Sequence, residues 1–155
     1  MPNATLLRLI TDDIAAAQTL LQLIEDEFQA LEERDLPRLQ TLLDTKLPLL
    51  HQLEEHGRQR SELLRQAGVS ADRTGLAELA ALGSVQAATV ECSDALNALL
   101  ERCQQANLRN GRVIRNNQNA TGRLLDILRG QETPSLYDRH GGATPAGRQR
   151  PLSQA

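Results

Sequence analysis

Residues 7–31, LRLITDDIAAAQTLLQLIEDEFQAL, decide the fold. Leu7, Ile10, Ile14, Ala17, Leu21, Ile24, Phe28 and Leu31 follow one another in alternating steps of three and four. At 3.6 residues per turn those positions fall on one stripe, so the stretch reads as a long helix packed on other helices. Asn3 or Thr5 is placed to cap its start. Its exit is Glu33-Arg34-Asp35-Leu36-Pro37, where the proline disfavours helical geometry at Leu36 and then suits the first turn of a new helix. A turn this short between long helices predicts an antiparallel hairpin.

Working outward, the second helix spans about 36–66, with Leu39, Leu43, Leu50, Leu53 and Leu64 on one face. Lys46 and Arg60 fall on the same seam and are expected to reach solvent by their stems. Pro48 predicts a kink or a local loss of hydrogen bonding near 44–48. Gly68 stops this helix, 68–75 reads as a loop, and 76–82 forms one or two helical turns ending at Gly83. Ser84 is a good N-cap for a third long helix running to about Arg129. One seam of it carries Val85, Cys92, Leu99, Ala106, Val113, Ala120 and Ile127; Thr89, Leu96, Cys103, Asn110, Asn117 and Leu124 interleave. Gly130 ends it. Residues 131–155 are Gly/Pro-rich, with only Leu136, Tyr137 and Leu152 as large apolar groups, too few to offset ordering entropy without a partner. The expected fold is therefore all-α: three long helices in an antiparallel bundle with a short intervening helix. The expected division is a bundle over 1–130 (helices about 4–33, 36–66, 76–82 and 84–129) and a flexible partner-binding tail over 131–155.

Composition agrees with that class. The chain has 155 residues, enough for one domain with a continuous core. Phe28 and Tyr137 are its only rings larger than imidazole, which argues against β-sandwiches and against folds that stack nucleic-acid bases on aromatics. The formal charge is −3, the wrong sign for broad binding to phosphate backbones. It hides an imbalance: residues 1–79 carry 14 acids and 8 bases, whereas residues 100–155 carry 4 acids and 9 bases. Internal complementarity accounts for this at a few tenths of a kcal/mol per exposed pair. Cys92 and Cys103 lie about three helical turns apart, roughly 16 Å, too far for a bridge and well placed for core packing. No basic segment precedes an apolar run at the start, and no stretch reaches membrane-spanning length. The expectation is a soluble, reduced, cytoplasmic protein without direct membrane insertion.

Catalysis finds no support in the pattern. His51 and His56 are five residues apart, on different helix faces, and read as solvated; no Cys joins them at metal-ligand spacing. Asp12–Asp13, Glu32–Glu33 and Glu54–Glu55 are adjacent pairs that splay apart on a helix and read as solvated faces. Asn119-Ala120-Thr121 matches a glycosylation sequon but lacks a secretory context. No active site, metal site or cofactor is expected. Residues 107–119 are the oddest stretch, with five Asn and three Arg in a helix that they and Gly111 weaken. Three readings stand: nucleic-acid contact through Arg109, Arg112 and Arg115; close backbone approach at Gly111 with Asn110 and Asn117 bonding across the seam; or polar seam residues that only fix register. Leu136-Tyr137 likewise reads as solvated tail, as a segment folded back on the bundle, or as a linear anchor. A nucleic-acid-binding helical protein and a structural coiled-coil oligomer using residues 7–31 are the alternatives from other classes.

Several blocks together resemble the FlgN family, cytosolic export chaperones of bacterial flagellar assembly. These are Asn107-Leu108-Arg109-Asn110-Gly111-Arg112-Val113-Ile114, the Asn/Gln-rich helix after it, Leu124-Leu125-Asp126-Ile127-Leu128, and Pro134-Ser135-Leu136-Tyr137-Asp138-Arg139-His140-Gly141. The preceding Leu-rich hairpin, with Lys46 and Leu49-Leu50, is similar to the family's N-terminal half, so the likeness runs through essentially the whole chain. The resemblance implies a non-enzymatic protein that binds hook–filament junction proteins of FlgK and FlgL type and brings them to the flagellar type III export gate. It implies client capture near Val113, Ile114, Leu124, Ile127 and Leu128, and docking to a gate component of FlhA type through Leu136 and Tyr137. It implies no nucleic acid and no cofactor among the partners.

Overall fold

A computed structural model describes residues 2–128. They form four helices, α1 (Pro2–Glu33), α2 (Leu36–Gln66), α3 (Arg73–Ala81) and α4 (Ala87–Leu128), and no strand. The fold is all-α. Residues 131–155, where the tail is expected, lie outside the described residues.

Residues 1–104 make one compact unit. Within it α1 and α2 run antiparallel, joined by a turn whose closing bonds run from Arg34 N–H to Leu31 C=O and from Asp35 N–H to Ala30 C=O. That pattern ends a helix with a left-handed residue, and here the residue is Arg34, at φ 56°. Asp35 then caps α2 by accepting the Arg38 N–H at 3.1 Å. Pro48 lies inside α2, which runs as one helix from Leu36 to Gln66. Gly68 and Gly83, at φ 78° and 74°, close α2 and α3 by the same left-handed turn. Val69 N–H reaches Leu64 C=O and Ser84 N–H reaches Leu79 C=O.

Within this unit the part of α4 up to Gln104 runs in the same direction as α1 and opposite to α2. Near its start the Asn3 side chain accepts both the Gln86 N–H and the Thr89 hydroxyl, each at 3.0 Å. Asn3 thus serves the start of α4 rather than that of α1. Further along, Ile10, Ala17 and Leu96 pack together with Ile14, Cys92 and Leu99 around them. At the far end of this contact Cys103 Sγ meets the Ala17 carbonyl at 3.5 Å. A second cluster, Leu6, Leu64, Leu76, Leu79 and Val85, closes the other end of the hairpin against α3. Each buried leucine of this kind contributes about 1.5–3 kcal/mol, so a few such side chains outweigh any surface ion pair here.

The first helix buries more than its apolar stripe. Ile10, Ala17, Ile24 and Leu31 are buried as a heptad seam requires, but so are Leu6, Asp13 and Leu20, a second row one step away. Ile10 and Ala17 of the first row meet Leu96 of α4, whereas Leu6 and Asp13 of the second meet α2. A hydrophobic periodicity shows the first row clearly and is blind to a row that contains charge.

Candidate functional site

Asp13, the polar member of that second row, is the centre of a tight charged cluster in the α1–α2 hairpin. Asp13 has no exposed surface. Its Oδ1 lies 2.7 Å from His56 Nδ1 and 3.4 Å from Gln52 Nε2, and its Oδ2 pairs with Arg60 Nη1. Two heptads along, Lys46 Nζ lies 2.9 Å from Glu27 Oε1, with Lys46 itself buried. These positions correct four expectations. Asp13 is not on a solvated face, His56 is not a solvated histidine, and neither Lys46 nor Arg60 snorkels to water. The physical reason is mutual: a carboxylate and a cation facing each other across a hairpin can leave water together, where either alone would pay several kcal/mol.

The cluster looks at first like a carboxylate orienting an imidazole base. Its second oxygen, however, is held by Arg60, and the hydroxyl of nearby Thr19 is committed to the Ala15 carbonyl at 3.1 Å. What the arrangement does chemically is fix register. The partners lie fourteen residues apart on both helices, 13 and 27 on α1, 60 and 46 on α2. Slipping either helix by one residue breaks both pairs at once. Among the described residues no group of three or more His, Cys, Asp or Glu is arranged to hold a metal ion. No described helix is long and apolar enough to cross a membrane.

The residues named as binding candidates lie further along α4, beyond Gln104, and form part of a separate unit. Val113 and Ile114 are half-buried, while Ile127 and Leu128 are 74% and 81% exposed. Asn110 is buried, and its Oδ1 accepts from Arg109 Nε at 3.3 Å and Nη2 at 3.1 Å. Gly111 is buried beside it and Asn117 is half-buried. Leu136 and Tyr137 lie outside the described residues, as does the side chain of Leu124. The large apolar groups left most open among the candidates are therefore the pair that ends the helix. Reading by sequence missed a second open apolar row, Leu36, Leu43 and Leu47 on α2. Its signal was present as leucines at helical spacing, but spacing does not say which stretch of a seam finds a partner.

A leucine-rich hairpin, a parallel third long helix and an Asn-Gly block on it are features that comparison with known proteins can test. The family model described as FlgN protein matches residues 1–145. The chain belongs to the FlgN family. A solved structure from Pseudomonas aeruginosa, described as a flagella synthesis protein FlgN, is 56% identical in sequence. It covers 80% of this chain and 95% of its own length, with a TM-score of 0.67. Among curated proteins none matches. FlgN membership thus covers the bundle, the Asn-Gly block and most of the segment that follows α4.

Proposed function

We propose that this FlgN-family chain is a cytoplasmic, non-enzymatic export chaperone for hook–filament junction proteins of FlgK and FlgL type. It keeps them from associating prematurely and delivers them to an export-gate component of FlhA type. Family membership over residues 1–145 carries the reading. The adjacent exposed pair Ile127 and Leu128 supports it from the structure, because large apolar groups left open at the end of a helix are what a partner helix takes up. In this reading Val113, Ile114, Leu124, Ile127 and Leu128 capture the client, whereas buried Asn110, with Gly111 and Asn117, sets how the helix packs. Leu136 and Tyr137 serve the gate. Release at the gate calls for a moderate interface with few anchors rather than a dry core.

Titration calorimetry of the full chain with the C-terminal segment of a junction protein tests the capture face. Saturable binding with a negative heat-capacity change is expected, weakened at least ~10-fold by Ile127→Glu with Leu128→Glu. Tyr137→Ala should leave that titration nearly unchanged and impair export of the client in motile cells. Equal loss of both would sink the division of labour between helix and tail.

A further inference from the structure

Leu36, Leu39, Leu43, Leu47 and Leu50 step along α2 by three, four, four and three residues, and the same rhythm continues through Glu54, Gly57 and Ser61 to Leu64. All of them fall on one face of the helix. Toward its C-terminal end that face is partnered. Gly57, Ser61 and Leu64 line a cavity of about 260 Å³ together with Ser93 and Asn97 of α4, and Leu64 is buried among Leu6, Leu76 and Leu79. Toward the α1–α2 turn the same face is largely open: Leu36 is 72% exposed, Leu47 56% and Leu43 40%, with Leu39 and Leu50 half-buried beside them. One continuous face is thus closed at its C-terminal end by Leu64 and open toward the turn.

We propose that the open half, Leu36 to Leu50, seats a single amphipathic helix of the exported client, continuing along α2 the packing that α3 begins at Leu64. The inference rests on the chaperone reading and adds to it a capture surface far in sequence from the end of α4. Three observations choose this occupant. At Leu64 the face already packs against Leu76 and Leu79 of α3, so its shape suits another helix. The row is about 21 Å long, and five leucines on one helix bury well under the 1,200–2,000 Å² that a stable pair of folded proteins needs, which favours a client held briefly over a permanent second copy. Asp44 and Glu54 are exposed beside the row and at its end, which selects a client helix with Lys or Arg flanking its apolar stripe.

The test uses the full-length chain and the C-terminal segment of a junction protein, by titration calorimetry, with circular dichroism and light scattering alongside. Leu43→Glu with Leu47→Glu should raise Kd at least ~10-fold with helicity and mass unchanged. Leu43→Ala with Leu47→Ala, which introduces no charge, should weaken binding in the same direction. Asp44→Lys with Glu54→Lys should weaken it by about two- to fivefold, less so in high salt. Leu82→Glu, more exposed than either but off the row, should do nothing. Unchanged binding in both leucine variants overturns the α2 site and leaves the chaperone reading standing. No binding by the unsubstituted chain overturns both. A dimer that becomes monomeric in Leu43→Glu with Leu47→Glu gives the row to a second copy and overturns the client assignment.

Discussion

Asp13 carries its charge where most side chains of α1 carry methyl groups, and it is tolerated there because His56, Gln52 and Arg60 reach its two oxygens from α2. Removing it leaves Arg60, itself about four-fifths covered, facing the hairpin interior without its partner. Asp13→Ala is therefore expected to cost about 2–4 kcal/mol in urea unfolding, whereas Asp13→Leu combined with Arg60→Met should cost less than Asp13→Ala alone, because no charge is then stranded. A combined loss equal to the sum of the singles would show that the two groups do not act as a pair. None of this was legible in the sequence. Asp13 sits beside Asp12 in a run whose apolar pattern closes without it, and its partners are 39, 43 and 47 residues away.

The helices themselves were far more legible, because their signals are local. The α1 seam, the turn at Asp35-Leu36-Pro37 and the stops at Gly68 and Gly83 each depend on residues within a turn or two of one another. The start of α3 shows where local reading slips. Gly75 invites assignment to a loop, yet it lies in the first turn of α3, which begins at Arg73. A Cβ there would come within 1.8 Å of the Ser70 carbonyl oxygen, so the glycine admits a close backbone approach rather than breaking a helix. Asp72 caps this element by accepting the Gly75 N–H at 3.0 Å and the Ser70 hydroxyl at 2.7 Å. The Gly75 N–H, then the Ser70 hydroxyl, hold the Asp72 carboxyl below its ordinary value of 3.8. A carboxyl lowered in the folded state stabilises the fold above its unfolded pKa, and that contribution fades as pH falls through the lowered one. Across the interval below pH 4, thermal unfolding of Asp72→Asn should therefore lose less stability than that of the unsubstituted chain. Parallel curves for the two would remove the cap from the acid response.

At the scale of the whole molecule, α1 is the shared member: one row of it meets α2 through paired charges, the other meets α4 through Ile10 and Ala17. Sequence pattern gave the class and the order of helices, while the parallel register of α1 with α4 came only from contacts such as Asn3 with Gln86 and Thr89. The meeting of Cys103 with the Ala17 carbonyl makes that register observable in solution. Cys103 is buried, and desolvation pushes its thiol above the ordinary range, so little reactive thiolate is available while the two helices stay together. Cys92, on the same helix, is only half-buried. An alkylating reagent followed by mass spectrometry should mark Cys92 first and Cys103 much later, and the delay times how often α4 swings away from α1. The protein thus carries its own stopwatch for helix separation, one that needs no dye, and binding of a client that loosens or tightens the bundle would change its rate.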